Sequence, residues 1–317
     1  MDKPFVTVSV ITYNSSKTIK ETLDSIFYQT YPNLELIVSD DCSTDKTVSI
    51  CKAWIDQHKD RFARAEVLMA EKNTGVTANI NRAWSACRTV WNKDIAGDDI
   101  LFPNCIEDNM SFIRSNPDAV VVFSRLKRFK TRCGKKIWLD DSWHDYSFFS
   151  LNQGEQYEYL IYHTGHIPTC TAFYNIDVLL RRNFKHDERI PLLEDDPKWI
   201  VLSKWGIKFH FLDIETVGYR RSSESLAYGL HSPQYFRSRL LFYLYYYLEE
   251  IKCNEDRVII YELICNEAMK SYSKTYNEVL GYKESWDYKV GRLLLNPLHL
   301  LKHFIEKLTR RKGIIIA

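Results

Sequence analysis

No run of residues in this chain reaches the 18 or so apolar positions that a membrane-spanning helix needs. The eight cysteines are scattered and form no C-x-x-C pair. That usage predicts reduced thiols acting as small hydrophobes in a cytoplasmic protein. Met1-Asp2-Lys3 leads straight into a strand-like stretch, with no signal peptide in the pattern. Basic and acidic residues nearly balance, 43 against 41. A net charge of +2 gives nucleic acid no bulk electrostatic reason to bind. Internal repeats and low-complexity segments are missing too. No G-x-x-x-x-G-K-[ST] occurs and no G-x-G-x-x-G follows the first strand, which excludes a P-loop and an NAD-type phosphate turn.

What is present is a β-α-β pattern rich enough in apolar residues, 45%, for a large core. Phe5 to Thr12 is β-branched and apolar, bounded by Pro4 and Asn14-Ser15-Ser16, as a buried parallel strand reads. Ile19, Leu23 and Ile26 follow at helical spacing, with Ser16 placed to cap them. Leu34 to Ser39 is a second buried strand and runs into Asp40-Asp41. Strands near 5–12, 34–39, 65–70 and 89–95 alternate with helices near 16–29, 44–58 and 75–88, which predicts a doubly wound, mostly parallel sheet. A helix over 104–115, a strand over 119–124 and a basic hairpin from Arg125 to Trp138 come next. Residues 139–165 carry no clear pattern. Thr169 to Tyr174 reads as a strand, Asp177 to Arg182 and Asp196 to Trp205 as helices, and Lys208 to Tyr219 as the last strands. From Pro233 the chain reads helical, so the boundary is set near 230: a domain over 1–230 and a helical extension over 231–317.

Polar residues at the carboxyl ends of strands are where open α/β sheets bind ligands. Their order here resembles that of the family-2 glycosyltransferases of GT-A fold. Asp40-Asp-Cys-Ser-Thr-Asp45 follows the second strand, and Asn73-Thr-Gly75 the third, like the family's N-x-G. Ala96-Gly-Asp98-Asp99 with Leu101-Phe-Pro103 looks like its metal-binding motif, and Leu193-Glu-Asp195 with Trp199 like its E-D motif. Tyr219-Arg220 with Ser225-Leu226 resembles its closing Y-R-x-H-x-x-S, with Ser222 where that pattern has His. The resemblance covers residues 4 to about 228. It implies a Rossmann-like GT-A sheet and inverting transfer of a sugar from a nucleotide donor, UDP-linked by preference, to an acceptor hydroxyl.

Each cluster also has a plainer reading. Asp45 serves equally as a helix cap, whereas Asp41 suits the imide N3–H of uracil, a group that cytosine lacks. Tyr13 would lie against the ring, and Thr12, Asn14, Asn73 and Gly75 would line the same donor site. Asp98 and Asp99 repel one another unless a cation neutralises them. The resemblance implies Mn²⁺ or Mg²⁺ there, shared with phosphate oxygens, and Asp98 also on the donor side. Ala96 stands where the family often has the first Asp of D-x-D-D. Acids at a helix start complement its dipole, which accounts for Glu194 and Asp196. By its place in the resembling motif Asp195 is the base, with Asp196 in reserve. Arg220 falls at a phosphate-facing position, though a surface arginine pair with Arg221 is nearly as good a reading. His163-x-x-His166 sits among Gly165 and Pro168 and suits a loop better than a zinc site. A solvated face is the plainer reading of the basic hairpin, and an anionic acceptor the other.

Two other classes stay open at this point: a nucleotidyltransferase, which would want a Gly-rich basic loop after the first strand, and a binding protein that has lost turnover. The expected partners are a UDP-sugar and a saccharide or lipid-linked saccharide acceptor, with bacterial surface polysaccharide as the product and a homodimer as one arrangement. Asn296-Pro297 then opens a stripe of Leu298, Leu301, Ile305 and Leu308, opposite Lys302, Lys307, Arg310, Arg311 and Lys312. That pattern suits either packing within the protein or a peripheral contact with the inner face of the cell membrane.

Overall fold

The computed structural model describes residues 3–140, 145–162, 167–221 and 233–247. The sheet is built outward from β1 (Val6–Thr12), whose β-branched residues are buried on both faces. β2 (Leu34–Asp40) and β4 (Trp91–Ala96) flank it, both parallel, and β3 (Arg64–Met69) pairs parallel with β2. The register sets Thr12 beside Asp40 and Ile11 beside Ala96, so three strands deliver their polar ends to one edge. Because the chain runs β1–β2–β3 to one side and returns to β4 on the other, that edge is a topological switch point. Helices α1 (Ile19–Phe27), α2 (Thr47–His58) and α3 (Val76–Ala86) make the crossovers.

Beyond β4 the mostly parallel sheet takes in antiparallel strands. β5 (Ile100–Leu101) and α4 (Cys105–Ser115) lead to β6 (Val121–Arg132), which forms the expected hairpin with β7 (Lys135–Trp138). α5 (Gln153–Tyr162), β8 (Phe173–Asn175), α6 (Ile176–Arg181), α7 (Asp195–Lys204), β9 (Phe209–Arg220) and α8 (Pro233–Phe242) follow. The strand order is β3-β2-β1-β4-β8-β6-β9-β5, with β7 on β6. β8 is antiparallel to β4 and β6, while β6 and β9 run parallel.

Alternate residues of these strands feed two cores on opposite sheet faces. Val122 and Phe173 join Val8, Val10, Leu23, Leu36 and Trp54. Val121, Phe123 and Tyr174 join Trp84, Trp199 and Phe209, and Phe242 and Tyr243 from the end of α8 pack there too.

Three local differences have visible causes. Residues 169–171 form a 3₁₀ turn, not a strand, because the buried Lys93 amine takes the carbonyls of Cys170 (2.6 Å) and Ala172 (3.2 Å). α1 starts at Ile19, after a turn in which the Thr18 and Ile19 N–H groups bond the Ser15 carbonyl, and Ser16 gives its own N–H to Asp45 instead of capping. α5 forms in the stretch without a pattern, where the buried Gln156 side chain bonds both the N–H and the carbonyl of Phe209. His163, His166, Ser222, the boundary near 230 and the tail over 296–312 lie outside the described residues.

The hairpin root is tightly fitted. A Cβ added to Gly218 would lie 2.6 Å from Ile100 Cγ1 and 3.3 Å from the Trp138 ring. Gly218→Ala should therefore destabilise the protein by about 1–3 kcal/mol, the usual cost of overpacking. A thermal melt checks it, and an unchanged Tm would mean that Ile100 simply turns aside.

Candidate active site

The edge where β1, β2 and β4 end is cross-braced by its own loops. Asn14 adopts a left-handed backbone (φ 50°) and accepts the Thr44 N–H on its side-chain oxygen (2.8 Å), while its own N–H goes to Ser43 Oγ (2.7 Å). Asp40, fully buried, accepts from the Ser43 N–H and hydroxyl. Asp45 accepts from the N–H and hydroxyl of Thr47, the first residue of α2, and from the Ser16 N–H. Burial opposes its ionisation, but those hydrogen bonds outweigh it and hold the carboxyl at about 2. Thr12 is buried, and its carbonyl takes the Asp41 N–H (3.0 Å). Tyr13 stands 47% exposed next to it, its ring open to solvent.

Asp41 is 3% exposed, and its carboxylate oxygens face the chain itself. They accept the Thr74 N–H and hydroxyl, the Gly75 N–H (2.7 Å) and, more distantly, the Arg82 guanidinium (3.5 Å). Arg82 also bonds Thr74 Oγ1 and Asn79 Oδ1. Sequence reasoning passed over it, because its distance from Asp41 along the chain hides the contact. Asn73 is exposed at the lip of this turn. Gly75 needs to be glycine: φ is +90°, and a Cβ would lie 2.8 Å from the Pro191 carbonyl. Thr77 Oγ1 bonds the Ile190 carbonyl as well (2.8 Å), so the Thr74–Gly75 turn is fastened to the loop that runs into Glu194 and Asp195.

Asp98 and Asp99 follow β4. Asp99 is buried, and burial, followed by the Asp98 charge, raises its pKa well above the carboxylate range. Burial raises Asp98 as well, against the opposing charge of Arg220. Arg220 organises the pair: its backbone N–H reaches Asp99 Oδ1 (2.8 Å) and its Nε the Asp98 carbonyl (2.6 Å). The two Nη atoms are taken by Thr131 and Glu21, and Arg220 is 5% exposed. The residue expected to face phosphate is thus a buried strut for the acidic pair, linking it to the β6–β7 hairpin.

The third acidic cluster opens α7. Burial, and then the charge of Asp195, pushes Glu194 up to about 8. Asp195 Oδ1 accepts from Lys198 Nζ (3.3 Å). Cys170 connects the two centres: burial raises its thiol, and Asp99 and Asp195 each raise it further. Asp99 and Asp195 therefore act on one partly buried sulfur from different elements.

Two self-repelling, largely buried carboxylates suit a hard divalent cation that draws its other oxygens from a bound diphosphate. Among the described residues no three His, Cys, Asp or Glu side chains converge as they would in an all-protein cage.

This sheet, with its acidic strand ends at the switch point, is that of a GT-A transferase. The S. aureus TarS 1–349 structure in complex with UDP-GlcNAc superposes with a TM-score of 0.57 at 19% identity, over 90% of this chain and 77% of that one. The mannosyltransferase PcManGT from Pyrobaculum calidifontis, in complex with GDP-Man and Mn²⁺, gives 0.56 at 15% identity, over 95% and 81%. A model of glycosyl transferase family 2 matches residues 7–179, and the chain belongs to that family. It is 32% identical over 119 residues to EpsE of Bacillus subtilis (strain 168), named as a candidate glycosyltransferase, covering 38% of this chain and 42% of EpsE. Chondroitin synthase of Escherichia coli is 28% identical over 144 residues, 45% of this chain and 20% of that protein. The matched stretch thus spans less than half the length of either relative.

Proposed function

We propose that this protein is a divalent-metal-dependent, inverting glycosyltransferase that moves a sugar from a UDP-sugar to a hydroxyl of a saccharide or lipid-linked saccharide in bacterial surface polysaccharide assembly. The observation that carries the reading is the Asp98-Asp99 pair at the end of β4, held in place by the buried Arg220, with Asp195 at the start of α7. TarS bound to UDP-GlcNAc and the mannosyltransferase bound to GDP-Man and Mn²⁺ support a sugar nucleotide and a cation; the names of the curated relatives support the pathway.

Asp98 and Asp99 would hold the Mn²⁺ or Mg²⁺, which when bound supplies charge to stabilise the departing diphosphate. Thr12, Tyr13, Asn14, Asn73 and Gly75 would frame the nucleoside, with the exposed Tyr13 ring free to stack on the base. Asp41 would accept the uracil N3–H while anchoring the Thr74–Gly75 turn. Arg220 would serve the donor by keeping Asp98 and Asp99 in place. Asp195 would remove the acceptor proton as the acceptor oxygen bonds the anomeric carbon. The bond to the diphosphate breaks in the same step and its electron pair leaves with UDP. The membrane contact of the tail is proposed from its sequence pattern alone.

UDP release from a panel of UDP-sugars is the direct assay. It should stop with excess EDTA and return with Mn²⁺ or Mg²⁺; full activity in chelator would remove the metal from the mechanism. Asp195→Asn should lower kcat by roughly 10²–10⁴ while leaving UDP affinity nearly intact. A dead Asp196→Asn beside an active Asp195→Asn would shift the base by one residue. In calorimetry UDP should bind far better than CDP, and Asp41→Ala should flatten that preference and lower Tm, because it also frees the Thr74–Gly75 turn. Equal binding of both nucleotides to the unaltered protein would refute the N3–H contact.

A further inference from the structure

Lys198 is a charged residue where the fold offers little water. It lies on α7, is 3% exposed, and directs its amine inward. A buried ammonium is costly unless carboxylates and hydrogen bonds compensate it. Nζ lies 3.3 Å from Asp195 Oδ1 and 3.1 Å from the Tyr174 hydroxyl on β8. It also sits 4.2 Å from the Trp199 ring centroid and 5.4 Å from that of Tyr174, in range for cation–π attraction. Asp195 Oδ2, by contrast, carries no hydrogen bond among the described residues.

We propose that Lys198 is a positioning residue of the transfer: its buried ammonium holds Asp195 by Oδ1 and leaves Oδ2 presented to the acceptor hydroxyl. The inference rests on Asp195 being the base. In the step so arranged, the acceptor proton passes to Oδ2 as the new glycosidic bond forms and the diphosphate departs. Lys198 keeps its own proton throughout.

The groups around Nζ fit that role. At the start of α7 they are Glu194, which precedes it, and Asp195. From β4 comes Asp94, raised by burial and pulled down first by Lys198, and held by Trp84 and Asn92. From β8 comes the Tyr174 hydroxyl, whose pKa burial raises. His186 is buried too, and burial, with Lys198 second, lowers its pKa well below the usual histidine range, so it adds no charge. The buried Lys93 on β4 acts on Asp94 as well, but among the described residues Lys198 is the cation that forms an ion pair with Asp195.

Lys198→Met keeps the apolar stem between the rings and removes the charge. In UDP-release assays with the full chain, kcat should fall at least tenfold while the donor KM stays within about twofold. Lys198→Arg, which keeps a cation on α7, should recover part of the lost kcat, again with the donor KM unchanged. Tyr174→Phe, which removes the second partner of Nζ, should change kcat in the same direction by less. A crystal structure of Lys198→Met supplies a readout independent of turnover: the Asp195 side chain should leave its wild-type rotamer. An unmoved rotamer, or an unchanged kcat in a folded Lys198→Met protein, would overturn the proposal. If Asp195→Asn retains full kcat, the base assignment itself fails; an inactive Asp195→Asn beside an unaffected Lys198→Met rejects only the role of Lys198.

Discussion

Carboxylates buried at strand ends must be met by donors or by opposite charge, and the architecture of this protein is organised around that requirement. Asp40 takes the Ser43 N–H and hydroxyl, Asp41 takes Thr74, Gly75 and Arg82, and Asp99 takes the Arg220 N–H. The groups that meet Asp41 and Asp99 come from distant segments, so satisfying those two acids also assembles the rim. Asp98-Asp99 is the place where this compensation is incomplete: burial and mutual repulsion leave both pKa values raised. That imbalance is what a cation would relieve.

Cations used for bracing stay inside the protein. Lys93 fixes the 169–171 turn, Arg220 fixes Asp98 and Asp99 and reaches the hairpin, and Lys198 fixes Asp195. All three are nearly or fully buried, and all link elements that differ in sheet position. Asp195 and the second core are thereby linked: Tyr174 packs with Trp84 and Trp199 while its hydroxyl meets Lys198. A change in the aromatic core on that face of the sheet therefore bears on the geometry of Asp195.

Much of this was readable from the chain. The four parallel strands, the three crossover helices and the basic hairpin follow from apolar runs and turn residues, which are local signals. The acidic strand ends were visible because a carboxylate after an apolar run has few structural explanations. The 169–171 turn was not readable, since its cause is an amine from β4, nor was α5, whose anchor is the Gln156–Phe209 pair. Arg82 and Lys198 carried no motif of their own; a cation in a helix ordinarily reads as solvated.

By itself, then, the sequence determined which residues make strands, which ends carry acids, and the family to which the order of those acids belongs, because hydrophobic runs and turn chemistry act over a few residues. Only the tertiary structure decided what each charge does. Arg220, read as facing phosphate, is buried under Glu21 and Thr131; Asp41 grips a turn; Lys198 is turned inward onto Asp195. The physical reason is that burial and partner identity belong to the pairing of distant segments, and a charge has no assigned role until the fold determines how much water it keeps and which opposite group it meets.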